Sequence, residues 1–589
     1  VIETLQAVPP AVAVVLAALV ALLGSRAVGT VAGALAGGYV TWWTLSVPAG
    51  RHGSVTFLEF TVIPVAVDPA SRVTGLAFGA FAVVAVGYLS ATGGDSAHLA
   101  AALAYAGAAI WSVFAGDWLG LFVGWELMAL ASTVLVWLHG GDAVRIGFRY
   151  ALVHAIGGTM LAAGLALHAA TLGVDPTVFQ YGDAIASGLP AIFVGIGIAV
   201  NAAVFGVHVW LPDTYSTPHV GASVVLSAYT TKLAAYAAYR AFPDGNLALA
   251  YVGGAMAVIG ASYALAQKDA RRLLAYHIQA QVGYILAGIG VGTSLGLAGA
   301  IAHLFNNVLF KGLLFMVAGL VVLYGGTGRL QEARRIGKRT PALAVAFLVA
   351  AASISGVPGT NGFVSKGMVL EAALEAGHEP LRWLLLAGAV GTVVSFCKFG
   401  YYAFRYGPDP IREPATTFQR LAMVPVAVAC IALGVRYGPL FDLLPASGEW
   451  SVALYTRGKL LETTLLLAVG AVVFWLGRPA LSRLNGGVDV DTVRDPLVFE
   501  TTRAVVSLVD AIFRAAGKVE QETRGRLLEG LTDPAERVTR WLPTGLAGRY
   551  RTRRREVAGT VGFVASVSLR ALVLVGCLLV ALGLGVVAR

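Results

Sequence analysis

Along most of its length the chain repeats one pattern: an apolar run of helix-spanning length, a short polar or basic interval, then another apolar run. A helix rises 1.5 Å per residue, so about twenty such residues cross a ~30 Å hydrocarbon core. The pattern predicts fifteen spans before residue 478, with cores at 9–24, 28–48, 70–91, 97–115, 118–138, 150–172, 191–211, 220–241, 249–266, 273–293, 298–324, 342–371, 383–405, 419–440 and 458–477. One more follows at 558–587. Between the second and third, SVTFLEFTVIPVAVD alternates with β-branched residues and predicts a short hairpin outside the lipid. Residues 478–556 break the pattern. They are rich in charge, yet Val505, Leu508, Val509, Ile512 and Phe513 recur at helical spacing, which predicts an amphipathic helix along the membrane surface or strapping neighbouring spans. The expected fold is an all-α polytopic membrane protein with about 14–16 transmembrane helices. Its expected parts are N-terminal spans with the hairpin (1–96), a central core (97–410), additional spans (411–477), the amphipathic segment (478–556) and a last helix (557–589).

Composition and charge sharpen this picture. Of 589 residues, 57% are hydrophobic and only 13% are charged, against about a quarter charged in soluble domains. The 72 glycines suit closely packed membrane helices. Cys397, Cys430 and Cys577 stand alone in apolar context, so neither a metal site nor a disulfide framework is expected. A net charge of +10 would suggest nucleic acid in a soluble chain. Here the basic residues gather in alternate loops: Arg145 and Arg149; Lys268, Arg271 and Arg272; Arg329, Arg334, Arg335, Lys338 and Arg339; Arg405 and Arg412. The charge therefore reports topology, with those loops cytoplasmic, the N-terminus outside and no nucleic-acid partner. The RTRRR at 551–555 reads as an anchor beside the last span. Val1 and Glu3 lead directly into an apolar run, which reads as a first span in a cell membrane rather than a cleavable signal.

Several charges fall inside the predicted spans. In DWLGLFVGWELMALASTVLVW (117–137), Glu126 lies about 13 Å into the helix. Lys232 lies past the middle of SVVLSAYTTKLAAYAAY, and His303 and Lys311 share IAHLFNNVLFKGLLFMVAGLVVL. Lys366 sits in SISGVPGTNGFVSKGMVLEAAL, where Pro358 and Gly359 predict a locally broken helix of the kind tolerated along a cavity. An ionised group at mid-bilayer costs ~2.5–3.5 kcal/mol on insertion scales, so four unpaired ones would cost on the order of 10 kcal/mol. They are expected to face one another, or water. A single Glu–Lys pair would serve equally well as glue between helices. His303, Asn307 and Lys311 are spaced four apart, with Asn306 beside them, forming a stripe that drifts only ~40° per step. Such a stripe can hold water and pass protons, whereas a lone histidine would read as a packed hydrogen-bonding residue. Desolvation loosens an amine's proton and a nearby carboxylate tightens it, so buried lysines beside a carboxylate form a switchable path. Glu126 is expected to set the protonation of neighbouring cations. Lys398 reads as a snorkelling residue near the basic end of its span, with an accessory place on the proton path as the alternative, and Asp213 as a helix-end hydrogen-bonding residue rather than a proton carrier.

Four stretches in order then become recognisable: HVWLPDTYSTP (208–218), QKDARRLLAYHIQAQVGYILAGIG (267–290), HLFNNVLFKGLLFMVAG (303–319) and GVPGTNGFVSKG (356–367). Together they resemble the proton-translocating antiporter-type subunits, a superfamily that includes large membrane subunits of respiratory complex I and the Mrp-type multisubunit cation/proton antiporters. The resemblance covers residues 60 to 410, and within the superfamily the chain looks most like the D subunit of Mrp-type Na+/H+ antiporters. It implies two inverted five-helix repeats near spans four to eight and nine to thirteen, each with a discontinuous helix, forming half-channels joined by a polar axis. It implies that Glu126 is the family's essential glutamate and Lys232 its central-axis lysine. His303 and Lys311 would be the histidine and lysine of the connecting helix, and Lys366 the terminal lysine of the second broken helix. There are departures. Asn201 stands where the first broken helix usually has a lysine, Gly206 replaces a proline, and Asn307 replaces a second histidine. Either Glu126 works with another cation, such as Lys232, His154 or His208, or this subunit translocates differently. Asn201 can still hold water.

The implied activity is proton translocation coupled to export of sodium or a similar monovalent cation. The implied partners are the lipid bilayer and the other subunits of a hetero-oligomeric membrane complex. No cofactor or metal is implied for this chain, which would be a transporter subunit rather than an enzyme. A second expectation is the membrane arm of a complex I-like or hydrogenase redox complex, although nothing recognisable here binds a flavin, iron–sulfur cluster or quinone. A third is energy coupling for inorganic-carbon uptake. No cage of inward carboxylates that would hold sodium is visible, so the cation route is expected at an interface or in a partner.

Overall fold

The computed structural model describes residues 5–483 apart from 174, 183, 335, 337, 338 and 407–412. The amphipathic helix expected around Val505–Phe513, the RTRRR anchor and the last span lie outside the described residues. Each described apolar run is helical, because a segment in lipid must satisfy its own backbone and a helix does so internally. First come α1 (Pro10–Leu23), α2 (Arg26–Ser46) and α3 (Pro69–Ala91). Between α2 and α3 the expected hairpin is longer than predicted: β2 (Val55–Phe57) pairs with β3 (Phe60–Val62), and β1 (Gly50–His52) pairs outside them with β4 (Val65–Val67).

Next are α4 (Ser96–Phe114), α5 (Trp118–Trp137) and α6 (Asp142–Leu172), then a span broken into α7 (Leu189–Asn201) and α8 (Leu211–Ser216), then α9 (Val220–Leu226) and α10 (Thr230–Ala241). The same order recurs in α11 (Leu247–Ala266), α12 (Ala270–Val291) and α13 (Ser294–Gly325), a second broken span of α14 (Pro341–Ser355) and α15 (Asn361–Glu375), and α16 (Glu379–Gly400). In both sets the fourth crossing is broken. Five crossings return the chain to the opposite face, so the second set runs inverted relative to the first. α17 (Thr417–Val435), the short α18 (Gly438–Phe441) and α19 (Arg457–Arg483) complete the described residues, with α19 running past the expected end at 477.

Helix starts follow from side chains at the interface. Asp68, Asp95, Asp117, Asn246 and Thr293 each accept a backbone N–H three residues on, where an unsatisfied donor would otherwise face lipid. Asp117 does double duty. Its Oδ1 caps α5 through Gly120 N–H at 2.7 Å, and its Oδ2 takes the Ile63 N–H of the hairpin at 2.6 Å.

The breaks have identifiable causes. After α7 the chain passes through Ala203 and Gly206, both at positive φ (56° and 97°), and Trp210 donates its indole N–H to Val200 O at 2.9 Å. After α14 it passes through Gly356 (φ 77°) and Gly359 (φ 87°), flanking Pro358. A third break corrects the sequence reading, which took 220–241 as one continuous helix. Residues 227–229 interrupt it, because Tyr105 OH from α4 takes the Thr230 N–H at 2.9 Å and Ser227 turns its hydroxyl back onto Val224 O at 2.7 Å.

Nine helices among the described residues are long and apolar enough to cross a membrane unaided. They differ in surroundings. The apolar window of α13 is 83% buried and forms the middle of the bundle, while that of α19 is 11% buried and lies at its edge. Exposed side chains such as Leu23, Leu35, Val435 and Leu476 give α1, α2, α17 and α19 apolar outer faces, as lipid requires.

Candidate proton-conducting axis

In the first set of helices the sequence singled out Glu126, His154, Asn201, His208 and Lys232. Glu126 projects from α5 with its Oε1 buried and unpartnered. Its carboxylate lies against α6 at Gly158, where a Cβ would overlap it. Among the described residues it forms no hydrogen bond or ion pair, so the expected pairing with Lys232, His154 or His208 is not made. The reason is local packing. Glycine at 158 seats the carboxylate on the α6 backbone, while His154, one turn earlier, turns between the rings of Tyr150 (4.0 Å between centroids) and Trp210 (4.6 Å). Asn201 is the polar neighbour of His154, yet neither its amide atoms nor the imidazole nitrogens complete a hydrogen bond. His208 packs against Phe205 and Tyr276, and its Nδ1 accepts the Gly206 N–H at 3.3 Å.

Lys232 is fully buried on α10, and its Nζ donates to Ser227 O at 2.7 Å and to Thr231 Oγ1 at 3.4 Å. The Ser227 carbonyl lies in the break, so the lysine serves the backbone that the break leaves open. Beside it four hydroxyls from four helices join. Tyr105 OH lies 2.7 Å from Thr230 Oγ1, Tyr150 OH lies 3.5 Å from the same oxygen, and Ser132 Oγ lies 2.8 Å from Tyr150 OH. This chain leads from the neighbourhood of His154 to that of Lys232. Sequence reasoning missed it, because single hydroxyls scattered over α4, α5, α6 and α10 carry no spacing signal.

In the second set the predicted stripe is present. His303, Asn307 and Lys311 are fully buried along one side of α13. Lys311 Nζ donates to Leu274 O of α12 at 3.0 Å, and His303 Nδ1 lies 2.9 Å from Ser365 Oγ of α15. Asn306 donates to Asn361 O at 2.9 Å and receives the Asn361 amide at 3.2 Å, which pins α13 to the start of α15. Lys366 Nζ donates to Ile354 O at the end of α14 (2.6 Å) and lies 4.6 Å from the centroid of the Tyr284 ring. Lys366 thus repeats the geometry of Lys232: an amine bound to a carbonyl at a helix break.

His277 and Gln281 of α12 were also missed, though with Tyr284 they follow an i, i+4, i+7 spacing inside the 267–290 stretch. His277 lies within electrostatic reach of Lys311 and Lys366, Lys311 of Lys232 and Lys366, and His303 of Lys366 and Lys232. The side-chain nitrogens and oxygens of His277, Gln281 and Asn307 are buried without protein partners, as is His303 Nε2. Such atoms are costly to leave dry.

Two further residues depart from the sequence reading. Lys398 does not snorkel: it is buried, and its Nζ donates to Leu265 O (2.7 Å) and Gln267 O (2.8 Å), closing the C-terminal end of α11. Asp213 is more than a helix-end acceptor, since Arg272 (2.6 Å) and Arg149 (3.5 Å) clamp it between α12 and α6. No group of three or more metal-ligating side chains is found among the described residues.

Residues 115–395 match the family described as NADH:quinone oxidoreductase/Mrp antiporter, transmembrane. The match lies in the membrane core of the chain. Among curated relatives, the N subunit of NADH-quinone oxidoreductase from Desulforudis audaxviator is 32% identical over 321 residues, covering 50% of this chain and 62% of the relative. The D subunit of the Na(+)/H(+) antiporter from Alkalihalophilus pseudofirmus is 29% identical over 346 residues, covering 56% of this chain and 70% of the relative. A solved structure of the Mrp complex from Dietzia sp. DQ12-45-1b superposes with TM-score 0.73 over 92% of this chain and 63% of that one, at 24% identity, which establishes a shared fold. The chain therefore spans less than two thirds of the oxidoreductase relative. The antiporter-type core holds all five central residues, Glu126, Lys232, His303, Lys311 and Lys366, within the matched segment.

Proposed function

We propose that this chain is the proton-translocating subunit of a multisubunit monovalent-cation/proton antiporter in the cell membrane, with its N-terminus outside. Protons move along Glu126, Lys232, Lys311, His303 and Lys366. The observation that carries this reading is the repeated geometry at Lys232 and Lys366, two buried amines bound to carbonyls at helix breaks and joined through the polar side of α13. A buried amine gives up its proton readily and regains it when charge or water approaches, which suits a carrier. Asn201, His154, Asn307, His277 and Gln281 complete the row through water. The core at 97–410 is the translocating unit. The outer apolar faces of α1, α2, α17 and α19 meet lipid and the other subunits, and sodium crosses with their help. Similarity to the D subunit of a Na(+)/H(+) antiporter supports the choice of system.

Similarity to the N subunit of an NADH-quinone oxidoreductase favours a second reading, a membrane arm driven by electron transfer elsewhere. In both readings this chain makes and breaks no covalent bond except to protons. The test uses inside-out vesicles holding the complete complex, an imposed pH gradient, no respiratory substrate and a pH-sensitive dye. Sodium, lithium or potassium should collapse the gradient in wild type and fail to do so in Glu126→Gln. A demonstrably intact complex that answers to no cation would replace the antiporter reading with the redox-driven one.

A further inference from the structure

One cleft runs from the axis toward the membrane face opposite the basic loops. Lys366 lies at its inner end beside the break at Ser355 and Gly356, and α15, α16 and α19 form its walls. Four charged side chains meet across its outer part. Glu371 of α15 is held by Lys459 of α19 at 3.1 Å, and Arg382 of α16 by Glu462 of α19 at 2.5 Å. These side chains are 20–39% exposed, so the pairs sit in the mouth rather than in a dry interior. Ion pairs in that setting are weak enough to part and re-form. The helix that supplies half of each pair is also the least buried of the candidate spans among the described residues. α19 lies beyond the segment matched by the family, so this closure belongs to the chain's own later spans.

We propose that the two ion pairs form a gate. With both made, α19 closes the cleft over Lys366. With both parted, the cleft joins Lys366 to the face opposite the basic loops, and Glu371 is free to carry the proton onward. In that step the N–H bond of the Lys366 ammonium breaks, an O–H bond forms on the Glu371 carboxylate, and Lys459 leaves its partner for water. The proton step rests on the function proposed above, while the gate rests on the cleft and its charges alone. Glu371 is legible as a carrier only beside this cleft, since on the sequence it is one acid near a loop.

The test reads the two parts separately, in the complete complex carrying a full-length chain with Cys397, Cys430 and Cys577 replaced. Leu370→Cys places a thiol in the cleft wall. A membrane-impermeant maleimide is applied to right-side-out and to inverted vesicles. Labelling should be slow in the parent and faster from one face only in Lys459→Gln/Arg382→Gln, by roughly tenfold, the ratio two weak pairs sustain. Exchanging the charges in Glu371→Lys/Lys459→Glu should return labelling to the slow rate. Unchanged labelling in the double variant overturns the gate, and so does faster labelling from both faces, which would report a loosened fold. Glu371→Gln parts one pair and leaves the other, so it should abolish proton movement while raising the labelling rate of the Leu370→Cys parent less than the double variant does. Full proton movement in Glu371→Gln overturns its role as carrier. If the parent itself moves no protons, the proposed function fails while the labelling result still decides the gate.

Discussion

The first set of helices, α4 to α10, and the second, α11 to α16, share an order but not a charge pattern. Along its axis the first has one carboxylate, Glu126, and one amine, Lys232, and a run of hydroxyls lies between their neighbourhoods. Along its axis the second has two buried amines and two imidazoles, with no carboxylate among them: His277, His303, Lys311 and Lys366, while its third buried amine, Lys398, caps the end of α11. Their broken spans differ as well. One ends on a neutral amide at Asn201, the other carries an amine at Lys366. Protonated sites buried in one row repel one another, so each proton placed on the row weakens the hold on the next. On the proposed function, the first set is the side on which a charge is placed or withdrawn to push protons along that row, and Glu126 is its one acid within the axis.

If the sets act in series, the largest effect comes from removing either end. Glu126→Gln and Lys366→Met should each lower proton movement by about a hundredfold or more, the scale on which positioned proton carriers matter. The double variant should be no worse than either alone. Dye-monitored transport in vesicles, normalised to assembled complex, measures this. Effects that multiply in the double variant would mean two independent paths and break the comparison.

The next effect isolates the seat of the carboxylate. Gly158→Ala places a methyl where the Glu126 carboxylate lies, so α5 and α6 must part or the carboxylate must move. Proton movement should fall by about tenfold or more. Glu126→Asp, one methylene shorter, should recover part of it in the Gly158→Ala background while lowering it in wild type. A Gly158→Ala variant with wild-type rates would show that the position of Glu126 is unimportant.

Much of this comparison is legible in the amino-acid sequence, for physical reasons. Ionised residues inside apolar runs are conspicuous because lipid penalises them, so Glu126, Lys232, His303, Lys311 and Lys366 stand out by hydropathy alone. The break before Lys366 is legible because Pro358 and two positive-φ glycines interrupt a helix. The break before Lys232 is not. It is made by Tyr105, more than a hundred residues away, taking the N–H of Thr230. Lys398 misleads in the opposite sense. Its position near a basic helix end suggests snorkelling, and only the approach of α11 shows that two open carbonyls hold it inside. Tertiary partners, invisible to spacing, decide such cases.

A third variant makes the first set resemble the second. Asn201→Lys adds a buried amine near His154, on the helix next to the one that seats Glu126. With Glu126 present the new charge has a counter-charge close by, and the complex should assemble normally with rates within several-fold of wild type. With Glu126→Gln in the same chain the amine is uncompensated, a loss of ~3 kcal/mol or more for a buried charge. Thermal unfolding of the purified complex should therefore show the double variant less stable than the two single changes add up to. Simple additivity would mean that Asn201 and Glu126 do not share an electrostatic environment.

The smallest effect on transport should come from Lys398→Met. Its amine donates to the backbone at Leu265 O and Gln267 O rather than to a side chain of the axis. Met keeps most of the apolar stem but leaves two carbonyls at the end of α11 without a donor, a loss of about 1–3 kcal/mol. The melting temperature should fall while proton movement per assembled complex stays within about twofold, since no carrier is removed. The contrast with Lys366 is the point of the experiment. Both lysines are buried and both donate to backbone carbonyls, but Lys366 also lies over the Tyr284 ring, within electrostatic reach of His303 and His277. If Lys398→Met stops proton movement as fully as Lys366→Met does, burial of an amine alone marks a carrier. If only Lys366→Met stops it, membership of the connected row is what separates a carrier from a cap.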